Sequence, residues 1–173
     1  GQVMKSSGPL VDALMAQAAT HYVREFERMS RSPEQRRSEL VGKLLAGDIA
    51  VDLTELDYEF EAWHLGAILV GTGAEEGAAA AARRLGRRAL IVPRGPRTAW
   101  LWLGDDRRLD PETVERLLDD GPLADVSLAR GEPRWGLDGW RLSHQEALAA
   151  HQIIVRKPQK LVRGADVTLL AAV

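Results

Sequence analysis

The stretch from Gly131 to His151 constrains the fold more than any other part of the chain. Its first half carries four turn-forming residues: Gly131, Pro133, Gly136 and Gly139. From Trp140 onward, the apolar or amphipathic positions 140, 144, 147, 148, 151 and 155 follow a helical period. The sequence therefore predicts a structured loop that leads into a long amphipathic helix, with Trp140, Leu148 and Val155 in the core.

The polar residues of this stretch favour packing over chemistry. His144 and His151 lie seven residues apart on one helix face, but no Cys or third His lies nearby to complete a metal site. Ser143 and His144 are neighbours, so their side chains point about 100° apart on a helix, which does not suit a nucleophile and its base. We expect no catalytic, metal-binding or cofactor-binding residue here.

The same stretch resembles a known family. The pattern that carries the resemblance follows a Gly-x-Pro and consists of Gly136, Leu137, Gly139, Trp140, Arg141, Ser143, His144, Glu146 and Ala147. It is similar to the GGDEF-like domain of bacterial PucR/CdaR-type transcriptional regulators, over roughly residues 57–173. Residues 33–56 resemble, more weakly, the helical segment that precedes this domain. The resemblance implies a cyclase-like fold in which these signature residues are structural.

Composition sets broad limits on the function. The 173 residues allow one domain plus an appendage, and a net charge of −2 with a pI near 6.1 disfavours direct DNA binding. The chain has no Cys, so it has no disulfide framework. No apolar run approaches the length of a membrane span and no signal peptide is visible. A cytoplasmic location without a membrane partner is therefore expected.

The N-terminal part of the chain predicts helices. One should run from Leu10 to Met29, after a flexible lead-in over 1–9. A second should begin at Pro33, with Ser32 as its cap and Gln35 in the capping box, and end near Gly47. A third, short helix is predicted over Leu53–Trp63. Residues 1–56 are thus expected to form an N-terminal helical segment.

The remainder alternates strands and helices, and residues 57–173 are predicted to form one degenerate GGDEF-like domain. The expected strands are 64–70, 89–92, 98–103, 124–129 and 160–162, and the expected helices are 74–88, 110–121, the long helix from 140 and a last one capped by Asp166. Trp100 and Trp102 should share one face of their strand. This order predicts an α+β fold, a ferredoxin-like antiparallel sheet with helices mainly on one face.

The carboxylates that cyclase chemistry needs are missing at the expected positions. Resemblance to the cyclases implies acidic metal ligands at the end of the first strand and an acidic hairpin, since Mg²⁺ takes oxygen ligands. Here the first strand ends Val70-Gly71-Thr72, and the hairpin reads Pro93-Arg94-Gly95-Pro96-Arg97. We therefore expect no enzyme activity, no cofactor and no metal.

Other motifs have simpler interpretations. The glycines of Gly71-x-Gly73 favour a tight turn over a dinucleotide site, because Glu75 and Glu76 would repel phosphate. The pairs Asp105-Asp106 and Asp119-Asp120 are typical of solvated loops. The cluster Arg83, Arg84, Arg87 and Arg88 is typical of a solvated helix end, with contact to an effector anion or another domain as the alternative.

These observations lead to a functional hypothesis. The resemblance implies a regulatory, dimerising and non-catalytic module of a transcriptional regulator, which contacts DNA only through a helix-turn-helix domain outside these residues. The apolar stripes of the two leading helices predict a homodimer, with docking of the helices onto the sheet as the competing outcome. A nucleotide-binding or cyclase-fold enzyme, or a sensor of an unknown small-molecule effector, remains the alternative.

Overall fold

The computed structural model describes residues 11–22 and 32–167. The chain divides into two compact units, residues 1–39 and 40–173. Residues 11–22 are helical (α1), in agreement with the predicted leading helix, whereas residues 1–10 and 23–31 lie outside the described part. The division into a segment 1–56 and a domain 57–173 stays a prediction. Within the described ranges, no helix is both long and apolar enough to cross a membrane.

The second helix, α2, begins as the sequence predicts. It spans Pro33–Leu45. The Ser32 hydroxyl accepts a hydrogen bond from the Gln35 N–H, and the Gln35 side chain accepts one from the Ser32 N–H, both at 3.2 Å. This is the predicted capping box, which satisfies two N–H groups that the first turn leaves without helical partners. Gly47, with a φ of +89°, follows the helix end.

The apolar stripe of α2 corrects the expected subunit contact. Leu40, Val41 and Leu44 are buried and belong to one core cluster with sheet residues that include Val92 and Trp102. The prediction that this stripe associates between subunits is wrong, because the side chains already pack within their own chain. The competing expectation, docking on the sheet, is confirmed for the Leu40–Leu44 stripe.

The core is a six-stranded sheet with the order β2-β3-β1-β4-β6, in which β5 also pairs with β1. Its strands are β1 Trp63–Val70, β2 Arg88–Pro93, β3 Thr98–Asp105, β4 Ser127–Arg130, β5 Arg134–Trp135 and β6 Leu161–Arg163. All pairs are antiparallel except β4 with β6. The predicted α+β, ferredoxin-like sheet is confirmed, and β1 is its central strand.

Helices cover both faces of the sheet, so the prediction that they lie mainly on one face is wrong. The helices after α2 are α3 Ala74–Leu85, α4 Pro111–Glu115 and α5 Gly136–Arg156, with 3₁₀ turns at Leu53–Leu56 and Arg116–Leu118. Leu65 and Leu69 of β1 share a core cluster with α3 and α4 residues, whereas Ile68 shares one with α5 residues. Alternate side chains of a strand point to opposite faces, so a nearly continuous apolar strand requires cover on both.

Several predicted element boundaries differ from the structure, among them the strand expected over 124–129, which spans Ser127–Arg130. The helix expected over Leu53–Trp63 is only the turn Leu53–Leu56, capped by the Asp52 carboxylate and followed by Asp57 in the left-handed region. The long helix begins at Gly136, ahead of the expected Trp140. Residues 164–167 are helical, so Asp166 lies inside this helix instead of capping it, and residues 168–173 lie outside the described part.

Candidate functional site

The stretch from Gly131 to His151 links α5 to β1, the central strand of the sheet, at a gap in the strand pairing along one edge of β1. β4 pairs with residues 67–70 of β1 and β5 pairs with residues 63 and 64. Between them, the Gly131 N–H donates to the Gly66 carbonyl at 2.9 Å. A Cβ on Gly131 would lie 2.1 Å from the Ser143 carbonyl oxygen, so this position accepts only glycine without a shift of the helix. The predicted loop is therefore a tight bridge between two short strands.

Ser143 ties α5 to the sheet. Its buried hydroxyl accepts from the Gly66 N–H at 2.7 Å and donates to the Glu132 carbonyl at 2.7 Å. A Cβ on Gly66 would come within 2.8 Å of the His144 nitrogen, so the helix backbone lies directly against β1. Both capacities of the hydroxyl are used in structural hydrogen bonds. That Ser143 is not a nucleophile stays a prediction.

Trp140 and His144 pack against the indole ring of Trp102, a residue of β3. The ring of Trp102 stacks on Trp140 at 4.5 Å and on His144 at 4.7 Å between centroids. The Trp102 Nε1–H donates to the Trp140 carbonyl at 3.1 Å, and Trp100 meets the His144 ring edge-on at 4.3 Å. The prediction that Trp100 and Trp102 share one face is confirmed. Aromatic pairs of this kind add about 0.5–1.5 kcal/mol to the stability beyond the area they bury.

His144 is the polar residue of this cluster without polar partners. It is 1% exposed, and neither ring nitrogen has a hydrogen-bond partner within the described residues, nor does Nε1 of Trp140. Burial, followed by the charge of Arg94, lowers the pKa of His144 from 6.5 to about 4. The ring is therefore neutral at pH 7, which suits packing between indoles.

Two arginines form hydrogen bonds at the two flanks of α5. Arg141 donates from Nε to the Leu44 carbonyl at the end of α2, at 2.9 Å. Arg134 of β5 forms a two-point ion pair with Glu146 at 2.9 and 3.0 Å, and the pair raises the pKa of Arg134. Charge-assisted pairs with two parallel bonds fix orientation as well as distance. The helix is thus held at both flanks.

The remaining signature residues also serve packing. The Gly136 N–H donates to the Ala62 carbonyl at 2.9 Å, and Leu137 packs half-buried against the α2 cluster. A Cβ on Gly139 would lie 2.8 Å from the Arg134 backbone, and Ala147 is fully buried on the sheet. All nine signature residues therefore belong to α5, and each of them has a contact that the sequence could not name in advance.

Two other predictions for α5 have different outcomes. Val155 is 64% exposed, so its placement in the core is wrong, and Ile154 is the buried residue of that turn. The error has a simple cause: position 155 lies about 100° around the helix from 154. His151 is half-buried, and burial lowers its pKa. The described residues contain no group of three or more His, Cys, Asp or Glu side chains able to hold a metal ion.

The positions that carry metal ligands in cyclases meet at the opposite end of β1. The Gly71 N–H donates to the Arg97 carbonyl at 2.8 Å, and the Arg97 guanidinium donates to the Thr72 hydroxyl at 3.2 Å. In the same hairpin, the Arg94 guanidinium lies 4.2 Å from the centre of the Trp100 ring. A cation on an indole face is attractive by about 0.5–2 kcal/mol. Arginine side chains therefore occupy the hairpin next to the end of β1.

An ion network joining three elements was missed by sequence reasoning. Glu115 of α4 accepts from Arg130 of β4 at 2.8 Å and from Arg163 of β6 at 2.7 and 2.9 Å. These hydrogen bonds lower the pKa of the Glu115 carboxyl group, and the bond from Arg163 has the largest effect. Arg130 also pairs with Glu132 at 3.1 Å. Arg163 lies 48 residues from Glu115, and no local pattern signals a contact over that separation.

The charged motifs near β2 are only partly solvated. Arg87 pairs with Asp105, and Arg88 pairs with Asp106 at 2.8 Å. The interpretation of these residues as a wholly solvated helix end and loop is therefore incomplete, although Arg83 and Arg84 are exposed in the last turn of α3, as expected. Exposed pairs of this kind contribute little, about 0–1 kcal/mol each.

The chain is similar to known proteins in fold and in sequence family. A solved structure, the regulator of polyketide synthase expression from Bifidobacterium adolescentis, superposes with a TM-score of 0.57 at 13% identity, which is a likeness of fold. The match covers 77% of this chain but 56% of that one, so this chain spans little more than half of that protein's length. No curated protein matches. The model of the GGDEF-like domain family matches residues 42–153, more than half of the chain, and the chain therefore belongs to the GGDEF-like domain family.

Proposed function

We propose that this chain is the regulatory and dimerising module of a PucR/CdaR-type transcriptional regulator, and that it is not an enzyme. The observation that carries the proposal is the use of the signature stretch. Its serine, histidine and glutamate side chains hold α5 on the sheet, and its arginine bonds to the end of α2. Side chains used in this way hold α5 in position, which supports a regulatory module over an enzyme.

The cyclase end of the sheet supports the same proposal. Phosphoryl transfer with Mg²⁺ needs carboxylates near the reacting phosphates. Val70, Gly71 and Thr72 provide none, and the adjacent hairpin carries Arg94 and Arg97. The Arg97 guanidinium is directed to Thr72 and Arg94 to Trp100. This end is better suited to stabilising the hairpin than to holding a metal and a nucleotide.

A regulatory role is also consistent with the structural neighbour, which is named as a regulator of expression. In a regulator of the proposed type, DNA would be contacted by a helix-turn-helix domain outside these 173 residues, and an unknown small-molecule effector would be a further partner. The net charge of −2 leaves this module with few phosphate contacts of its own.

Dimerisation is supported by the exposed stripe of α1. Val11, Met15 and Tyr22 are 48%, 66% and 72% exposed, and with Ala18 they recur at the spacing of one helix face. Most of the stability of a surface helix comes from packing of its apolar face, so α1 needs a partner for this stripe. We infer that a second copy supplies it. Because the α2 stripe is buried, α1 alone carries this part of the proposal.

Incubation with GTP and Mg²⁺ tests the absence of catalysis. We expect no cyclic dinucleotide and no pyrophosphate, with an active cyclase of the same fold as the positive control. Accumulation of either product at a rate proportional to the amount of this chain would overturn the non-catalytic assignment.

A gel-shift titration tests the DNA part of the proposal. We expect the chain alone to bind duplex DNA weakly, with no preference for sequence at physiological salt. Reading the coding sequence past Val173 should reveal a helix-turn-helix pattern. A specific shift that needs only these residues would contradict the proposed division of labour.

A further inference from the structure

The outer face of α5 carries no charge over most of its length. From Leu142 to Val155, the exposed residues are Leu142, Gln145, Gln152 and Val155, and Ala149 lies half-buried among them. Leu142 is 42% and Val155 64% exposed. Solvent faces of surface helices usually carry charged residues, as α3 does with Glu75, Glu76, Arg83 and Arg84. An uncharged face of this length is typical of a contact surface.

Opposite charges stand at the two ends of this face. Asp138 in the first turn has a fully exposed side chain, whose contact with Arg141 is long at 3.4 Å. Arg156 in the last turn is exposed and forms no ion pair or hydrogen bond within the described residues. The two are 18 residues apart, about five turns at 3.6 residues per turn, and therefore lie on the same side of the helix.

We propose that this outer face, from Asp138 to Arg156, pairs antiparallel with the same face of a second copy of the chain. A two-fold axis between Leu148 and Ala149 leaves Asp138 of each copy and Arg156 of the other offset by about 4.5 Å along the helix, three residues at 1.5 Å each, which the long arginine side chain spans. A parallel pair would instead bring like charges together at both ends. The face is thus self-complementary, as a closed two-fold interface requires.

The centre of the face fits the same arrangement. The antiparallel pairing sets Gln145 opposite Gln152 of the second copy, and a glutamine amide both donates and accepts hydrogen bonds. Ala149 is small enough to let the two helices approach closely. A basic or acidic partner finds no complementary charge along these middle turns, so a second copy fits better than a highly charged macromolecule.

The size of the face limits the strength of this contact. Stable interfaces bury about 800 Å² on each partner, more than the side chains of one helix face supply. The α5 contact is therefore weak alone and adds to the association through α1. The inference rests on the proposed dimeric function, for which it names a second surface.

Cross-linking tests the position of the axis. The chain has no Cys, so a single introduced cysteine reports on one place. Ala149→Cys should form a disulfide-linked dimer on mild oxidation at tens of micromolar. Ile49→Cys, at a position 97% exposed and outside α5, is the matched control. Equal cross-linking of the two variants overturns the inference.

Charge reversal tests the direction of pairing in the full chain. Asp138→Arg and Arg156→Asp should each weaken self-association in sedimentation velocity by about tenfold, and the double variant should restore it. Circular dichroism checks that each variant folds. A dimer unchanged by both single reversals overturns the α5 surface and leaves the dimeric function standing. A chain that is monomeric at hundreds of micromolar overturns both.

Discussion

His64 and His144 are both fully buried on the same face of the sheet, yet their rings are held in opposite ways. His64 Nε2–H donates to the Phe60 carbonyl at 2.9 Å, which leaves Nδ1 to accept from the Tyr58 hydroxyl at 2.7 Å. His144 has no such partner in the described part of the chain and lies against two indoles instead. Polar bonds hold one ring, and aromatic contacts hold the other.

The two histidines are equally buried but differ in their hydrogen bonds. Burial lowers the pKa of both rings, and for His64 the bond to Phe60 opposes the shift. An unmade hydrogen bond at a buried group costs about 1–3 kcal/mol, so His144 is retained at a cost that its stacking offsets. Both buried histidines therefore have a lowered pKa, one with hydrogen-bonded ring nitrogens and the other without.

Removal of the stack around His144 should have the largest effect. Trp140→Ala deletes a fully buried indole that stacks on Trp102. The free energy of unfolding should fall by about 3–5 kcal/mol because a cavity remains. Urea unfolding at pH 7 measures the change. Ile49→Ala, at an exposed position, should change stability by less than about 0.5 kcal/mol. An unchanged Trp140→Ala variant would show that the stack does not stabilise the fold.

Acid should weaken the fold through His144. Its pKa is about 4 in the folded chain and 6.5 unfolded, so between these values only the unfolded chain binds the proton. Stability is therefore complete above pH 6.5 and lost as the pH falls towards 4. The loss should be about 3 kcal/mol, at about 1.4 kcal/mol per pKa unit. The lowered pKa of His64 adds to it in the same direction.

Unfolding curves over this pH range measure the slope. His144→Phe should remove most of this slope, whereas Ile49→Ala, at an exposed position, should not. If wild type and His144→Phe lose stability in parallel, the proton binds at another site.

Deletion of the hydrogen bond between Tyr58 and His64 should test whether the buried His64 ring depends on its polar partner. Tyr58→Phe removes the donor to Nδ1 and leaves a buried acceptor alone. The cost should be about 1–2 kcal/mol in the free energy of unfolding. The chain has one other tyrosine, Tyr22, which is 72% exposed in α1 and provides a matched control. Equal stability of the two variants would show that His64 does not need its partner.

The smallest effect is expected for His144→Phe. The two His→Phe substitutions should change the free energy of unfolding in opposite directions. His144→Phe keeps the contacts with Trp100 and Trp102 but removes two unpartnered nitrogens, so stability at pH 7 should be unchanged or rise by up to about 1 kcal/mol. His64→Phe loses two made hydrogen bonds and should destabilise the chain. Thermal unfolding compares them. Destabilisation of similar size in both variants would remove the distinction.

Local patterns were sufficient to predict much of the fold. The capping residue Ser32 acts as expected, since a cap involves residues two or three positions apart. The apolar run at β1 and the shared face of Trp100 and Trp102 also follow from short-range periodicity. The third helix failed because apolar spacing over Leu53–Trp63 fits a loop whose aromatic residues, Tyr58 and Phe60, turn inward.

The candidate site divides in the same way. The signature of α5 could be recognised in the sequence, and the structural role of Trp140 could be inferred from helical spacing. Its partners could not. The Ser143 hydroxyl meets the Gly66 N–H across 77 residues. Val155 and Ile154 differ by one position, and only the docking angle of the helix decides which is buried.

The sequence by itself determined the order of the main strands, the starts of α2, α3 and α4, and the absence of carboxylates at the end of β1, because these depend on neighbouring residues or on residue type alone. Tertiary structure decided that helices cover both faces, that α2 packs within its own chain, and that Glu115, Arg130 and Arg163 meet. Such contacts join residues far apart in the chain, and their geometry depends on the packing of the whole sheet.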